Sequence, residues 1–139
     1  MPQKQMLETL KNLRKVLFIE DDPDQIFMYQ SVFELEGMCM MAATHHQEAL
    51  RMTETEKPEL ILLDLLLGNE SGLDVLKDLK ANPKTQNIPV IVFTNYEKKG
   101  LREECAKLGA IDFILKIQTT PTEFAKSIKV RLGKRTAEK

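Results

Sequence analysis

The stretch Leu60-Ile61-Leu62-Leu63-Asp64 carries four branched apolar residues straight into a carboxylate, and Val16-Leu17-Phe18-Ile19-Glu20-Asp21-Asp22 does the same upstream. Continuous apolar runs this short suit strands buried on both faces, the habit of a parallel sheet. If both runs are parallel strands, Glu20, Asp21, Asp22 and Asp64 meet at one edge. Carboxylates gathered there repel one another unless a hard cation such as Mg²⁺ shares their oxygens. The acidic edge is therefore a candidate site.

Apolar runs fall near 15–20, 38–43, 59–64, 89–94 and 110–115, with helical patterns between and after them. Five rounds of this alternation predict a doubly wound α/β fold, a five-stranded parallel sheet with helices on both faces. Residues 15–132 read as one domain, as a chain of 139 residues allows. Residues 1–14, polar with Met6, Leu7, Leu10 and Leu13 interspersed, read as an N-terminal arm or a short amphipathic helix, and 133–139 as a frayed tail.

Capping chemistry marks the expected helix boundaries. Asp22-Pro23 offers an N-cap with proline at the first helical position, and Thr120-Pro121-Thr122-Glu123 adds the reciprocal glutamate of a capping box. Ser71 with Asp74 and Thr44 with Gln47 are weaker versions, and Gly37 and Gly109 suit helix C-terminal ends. Leu101, Cys105 and Leu108 form one apolar stripe, and Phe124, Ile128 and Leu132 another.

Acidic and basic residues nearly balance, at 21 and 20, so net charge favours neither nucleic acid nor an anionic membrane. No apolar stretch approaches the roughly 20 residues that span a bilayer, and no signal sequence precedes the domain, so a cytoplasmic protein is expected. Cys39 and Cys105 lack the spacing of a zinc site and read as reduced, packed thiols. Met38, Met40 and Met41 read as core filler, His45-His46 as solvent-facing turn residues, and Lys126, Lys129, Arg131, Lys134 and Arg135 as a solvated helix face and end.

Ligands of an open parallel sheet bind outside the carboxyl ends of its strands. Glu20, Asp21 and Asp22 follow the first run, Asp64 the third, Thr94 and Asn95 the fourth, and Lys116 the fifth. Carboxylates can hold Mg²⁺, one can act as nucleophile, and a hydroxyl with an ammonium can receive phosphate oxygens. Any one of these positions is simply where a strand returns to solvent. Together they suit the handling of a phosphoryl group.

This ordered set resembles the receiver domain of a two-component response regulator. The resemblance spans about residues 15–132 and rests on Val16–Pro23, Pro58–Asp64, Ile88–Thr94 and Gly109–Lys116. It implies a flavodoxin-like fold with strand order 2-1-3-4-5. It makes Asp64 the phosphoacceptor, with Glu20, Asp21, Asp64 and the backbone carbonyl of Leu66 around Mg²⁺. Thr94 and Lys116 would contact the phosphoryl oxygens, and Phe113 holds the aromatic switch position. Asp22, Asn95 and Tyr96 would lie at the site's periphery. The implied partners are a sensor histidine kinase or phosphotransfer protein and an unknown downstream protein, met through the helix 4-strand 5-helix 5 surface. A monomer or weak dimer is expected, and no enzyme activity beyond self-phosphorylation and autodephosphorylation.

Three positions depart from the family's pattern. Ile117 follows Lys116 where receivers usually carry proline, and a cis bond without proline would cost roughly 3 kcal/mol, so a trans bond is expected. Asn95 stands where a small residue is more usual, and Gly68 where receivers often have proline. Leu66 and Tyr96 flank the entrance to Asp64. A phosphorylation-independent pseudo-receiver of the same fold is the alternative, while a phosphohydrolase lacks a general acid at Leu66 and a flavin site lacks hydroxyls after the first strand.

Overall fold

The computed structural model describes residues 2–5 and 13–137, with the side chains of 134–137 left out. Its sheet has five parallel strands, β1 (Arg14–Ile19), β2 (Met38–Ala43), β3 (Leu60–Leu63), β4 (Val90–Thr94) and β5 (Asp112–Leu115), in the order β2-β1-β3-β4-β5. That is the order 2-1-3-4-5 expected of a flavodoxin-like fold. Between and after the strands come α1 (Pro23–Leu35), α2 (His46–Glu56), α3 (Gly72–Ala81), α4 (Leu101–Lys107) and α5 (Pro121–Ala137).

The central strands β3 and β4, and β1 from Val16 onward, are buried because each face packs against helices. Leu17, Ile19, Ile61, Leu63, Val90 and Val92 meet Ala49 of α2, Val75, Leu76 and Leu79 of α3, and Leu101 and Cys105 of α4. Val16, Phe18, Leu60, Leu62, Ile91 and Phe93 meet Tyr29 and Phe33 of α1, and Phe124, Ala125 and Ile128 of α5. Alternation along each strand thus divides one apolar run between two cores. Met38 and Met40 join the second, as filler should, whereas Met41 and Cys39 are half-buried.

Capping chemistry sets several boundaries. Asp22 Oδ1 accepts from the backbone N–H groups of Asp24 (2.9 Å) and Gln25 (3.4 Å) ahead of Pro23. The capping box closes reciprocally at 3.2 Å, from Glu123 N–H to Thr120 Oγ1 and from Thr120 N–H to Glu123 Oε1. Ser71 caps α3 through Leu73 N–H. At α2 the residues differ from expectation. Its N-cap is His45, and Glu48 rather than Gln47 accepts from Thr44 N–H, at 2.8 Å. Gly109 closes α4 at φ +107°, a conformation glycine adopts without a Cβ penalty.

Two regions depart from the sequence reading. A short antiparallel hairpin, Leu66–Leu67 paired with Glu70–Ser71, stands between β3 and α3 where no strand was expected. α5 runs through Gly133 to Ala137, past the boundary drawn at Leu132, because an unobstructed glycine lowers helix propensity without ending a helix. Residues 3–5 are helical, and the stripe expected through Met6, Leu7 and Leu10 lies outside the described residues. Among the described residues no helix is long and apolar enough to cross a membrane.

Candidate functional site

Ladder bonds bring the acidic residues side by side. Asp64 N–H donates to the Ile19 carbonyl and Glu20 N–H to the Ala43 carbonyl, both at 3.0 Å, so β1 and β3 deliver their carboxylates to adjacent places on the sheet edge. Glu20 is 2% exposed and Asp64 7% exposed, a degree of burial that ionised groups tolerate only when paired.

Lys116 supplies the pairing. Its ammonium donates to Glu20 Oε1 at 2.5 Å, Asp64 Oδ2 at 2.8 Å and the Gln25 side-chain carbonyl at 2.5 Å. On the other side, Thr94 Oγ1 donates to Asp64 Oδ1 at 2.6 Å and accepts from Tyr96 N–H at 3.1 Å. Leu66 N–H also reaches Asp64 Oδ1, at 3.1 Å. The two oxygens of Asp64 are therefore held separately, one by hydroxyl and amide, the other by ammonium.

These contacts set the protonation pattern. Burial, reinforced by the hydrogen bond with Asp64, pushes Glu20 up to about 7 despite Lys116. Burial acts on Asp64 in the same direction, but hydrogen bonds with Glu20, Lys116 and Thr94 outweigh it and hold Asp64 below the usual carboxylate range. Lys116 lies above its ordinary value, because its bonds to both carboxylates outweigh its own burial. Of the two carboxylates, Glu20 therefore holds a proton more readily and Asp64 is the one kept ionised.

Asp21 and Asp22 have different surroundings. Asp21 is exposed, and its Oδ2 overhangs the Gly68 turn, 3.5 Å from where a Cβ would stand. Asp22 is occupied as the α1 cap and donates its backbone N–H to Glu20 Oε2 at 3.0 Å. The oxygen-only set of Glu20, Asp21, Asp64 and the Leu66 carbonyl suits a hard cation. Glu20 and Asp64 already converge on one positive charge. Among the described residues, though, no three His, Cys, Asp or Glu side chains form a ready metal cluster.

The remaining sequence candidates surround this centre. Leu66 is 54% and Tyr96 36% exposed, and both line a cavity of about 350 Å³ with Gly68, Leu73 and Lys98. Phe113 is buried with the Arg102 guanidinium 4.6 Å over its ring. The Lys116-Ile117 bond is trans, as every described peptide bond is, and Asn95 Oδ1 accepts from Ile117 N–H at 2.9 Å.

A family model described as the response regulator receiver domain matches residues 16–129. The chain belongs to that family. This receiver is 32% identical over 120 residues to the polar-differentiation response regulator DivK of Brucella anthropi, covering 86% of this chain and 97% of that one. It is 25% identical to the BeF3-activated N-terminal receiver domain of Klebsiella pneumoniae RstA, with a TM-score of 0.74 over 84% of this chain and 97% of that chain. A CheY-like receiver of Methanospirillum hungatei is also 25% identical, with a TM-score of 0.77 over 92% and 100%.

Sequence reasoning missed two groups in this receiver. Gln25 follows Asp22 by one helical turn, and that spacing was its available signal. Gly72 brings α3 so near the β3 end that a Cβ there would lie 2.4 Å from the Asp64 carbonyl oxygen. His46 corrects a third reading. It is no free turn residue, since its ring meets Asp78 Oδ2 at 2.8 Å and its N–H meets Glu70 Oε1 at 2.9 Å.

Proposed function

We propose that this receiver takes a phosphoryl group onto Asp64 from the phosphohistidine of a sensor histidine kinase or phosphotransfer protein, and regulates a downstream protein through the surface of α4, β5 and α5. The observation that carries this reading is the division of Asp64, with Thr94 on Oδ1 and Lys116 on Oδ2. Attack by an Asp64 oxygen forms an O–P bond as the P–N bond breaks. The electron pair leaves on the imidazole nitrogen, which takes up a proton. Asp64 then carries about one additional negative charge, and Thr94 and Lys116 are the donors already in reach.

Glu20, Asp21, Asp64 and the Leu66 carbonyl would hold Mg²⁺. When bound, the ion supplies positive charge to the transferring phosphoryl oxygens. Proton release from Glu20 prepares its side of that set. Phe113, clasped by Arg102, is the group that would respond to movement of Thr94, turning a local charge change into a surface change.

One observation favours a second reading, a protein-binding module that uses no phosphate. Lys116 already has its charge matched by two carboxylates. Phos-tag electrophoresis after acetyl phosphate and Mg²⁺ treatment separates the two. A retarded band for wild type and none for Asp64→Asn is expected. An unshifted wild type, under conditions that modify another receiver, selects the second reading.

A further inference from the structure

Beyond Thr94 and Leu115 the β4–β5 ladder ends, and the chain enters the short 3₁₀ turn Lys116–Gln118. The bond closing this turn, from Thr119 N–H to the Lys116 carbonyl, is long at 3.4 Å. Ile117 contributes little packing, being 79% exposed. Unlike proline it also carries an N–H, which needs a partner. Asn95 provides one from the end of the neighbouring strand, at 2.9 Å. Because the Ile117 amide can only donate, the amide oxygen of Asn95 must face it.

The two residues so tied each adjoin a residue that grips Asp64. Asn95 follows Thr94, which donates to Oδ1, and Ile117 follows Lys116, which donates to Oδ2. The Asn95-Ile117 bond adds one side-chain rung to the sheet where the backbone ladder stops. We propose that Asn95 is a positioning residue for Lys116, holding the trans Lys116-Ile117 turn in register with Thr94 and so aiming the ammonium at Asp64 and its phosphoryl group. This rests on Asp64 being the phosphoacceptor. Asn95 touches no reacting atom and acts through the Ile117 amide.

The test has two arms. Amide exchange of Ile117, followed by NMR without any phosphodonor, should quicken about 2- to 10-fold in Asn95→Ala, and the isosteric acceptor in Asn95→Asp should restore protection. Exchange in Asn95→Ala equal to wild type overturns the proposal. In the second arm, acetyl phosphate labelling of Asp64 should slow by a similar factor in Asn95→Ala. In a Lys116→Ala background the same substitution should have no further effect, whereas a general weakening of the fold would slow both backgrounds alike and refute it. If wild type takes no phosphoryl group at all, the assignment of Asp64 falls, and Ile117 exchange alone decides the role of Asn95.

Discussion

Gly72 and Glu20 show how tightly single residues constrain this site. A methyl group at Gly72 would meet the Asp64 carbonyl oxygen at 2.4 Å and the Leu65 Cα at 2.6 Å, both backbone atoms that cannot rotate away. Gly72→Ala should therefore cost about 3 kcal/mol, the upper range for overpacking, measured as a lower urea midpoint at unchanged slope. A midpoint within error of wild type would show that α3 recedes freely. Glu20 carries a pH dependence. Its folded value of about 7 lies above the ordinary 4.5, so between these limits the folded chain binds more protons than the unfolded one. Glu20 contributes its full stability below about 4.5 and loses it as pH rises to about 7. In metal-free protein, the stability of Glu20→Gln relative to wild type should thus grow by on the order of 1–3 kcal/mol between pH 5 and 7.5. A difference independent of pH would show that Glu20 ionises normally. The main site residues were legible because each ends an apolar run. Gly72 was not, and Gln25 was signalled only by its spacing from Asp22, since their importance comes from neighbours distant in sequence, the β3 end at one and Lys116 at the other.

Helix α1 begins where it does because one carboxylate satisfies two of its first amides. Removing that carboxylate in Asp22→Ala should cost about 1 kcal/mol, read from thermal or urea unfolding, and no loss would mean that water replaces the cap fully. This cap and the Thr120-Glu123 box were readable because the donor and acceptor lie within one turn. The start of α2 was harder. Its Glu70 acceptor comes from the hairpin and the partner of its His46 ring from α3, so nothing local marked either contact. The hairpin itself escaped because two residues per strand are too few to show alternation. Strands β1 to β5 were visible for the opposite reason. Burial on both faces leaves continuous apolar runs in β1, β3 and β4, while the edge strands β2 and β5 are half-buried on one face, and strand ends moved by one or two residues, as at β5, which starts at Asp112 rather than near 110.

Binding at Asp64 should register in the stability of the entire domain, because β1, β3, β4 and β5 each contribute a side chain to the same centre. Mg²⁺ with fluoroberyllate, a phosphoryl mimic, at about 100 times its Kd should add about 2.7 kcal/mol to unfolding. For a domain of this length that corresponds to roughly 10 °C in Tm, measurable by calorimetry. Asp64→Asn should show no such rise, and an unmoved wild type would contradict phosphoacceptor chemistry. The two-sided sheet also restricts how anything leaves that centre. Phe93, one residue before Thr94, lies flat on Phe124 of α5 with centroids 3.9 Å apart and planes 5° apart, and the Tyr29 ring stands edge-on to both. β4 is hydrogen-bonded to β3 on one side and β5 on the other. The β3 ladder ends at Val92, while Thr94 itself still pairs with Leu115 of β5, so rotation about its Cα–Cβ bond is its cheapest freedom. Under the proposed function, a change at Thr94 would therefore begin as a torsion of a single side chain, felt by its neighbours as vacated volume rather than as a pull along the strand.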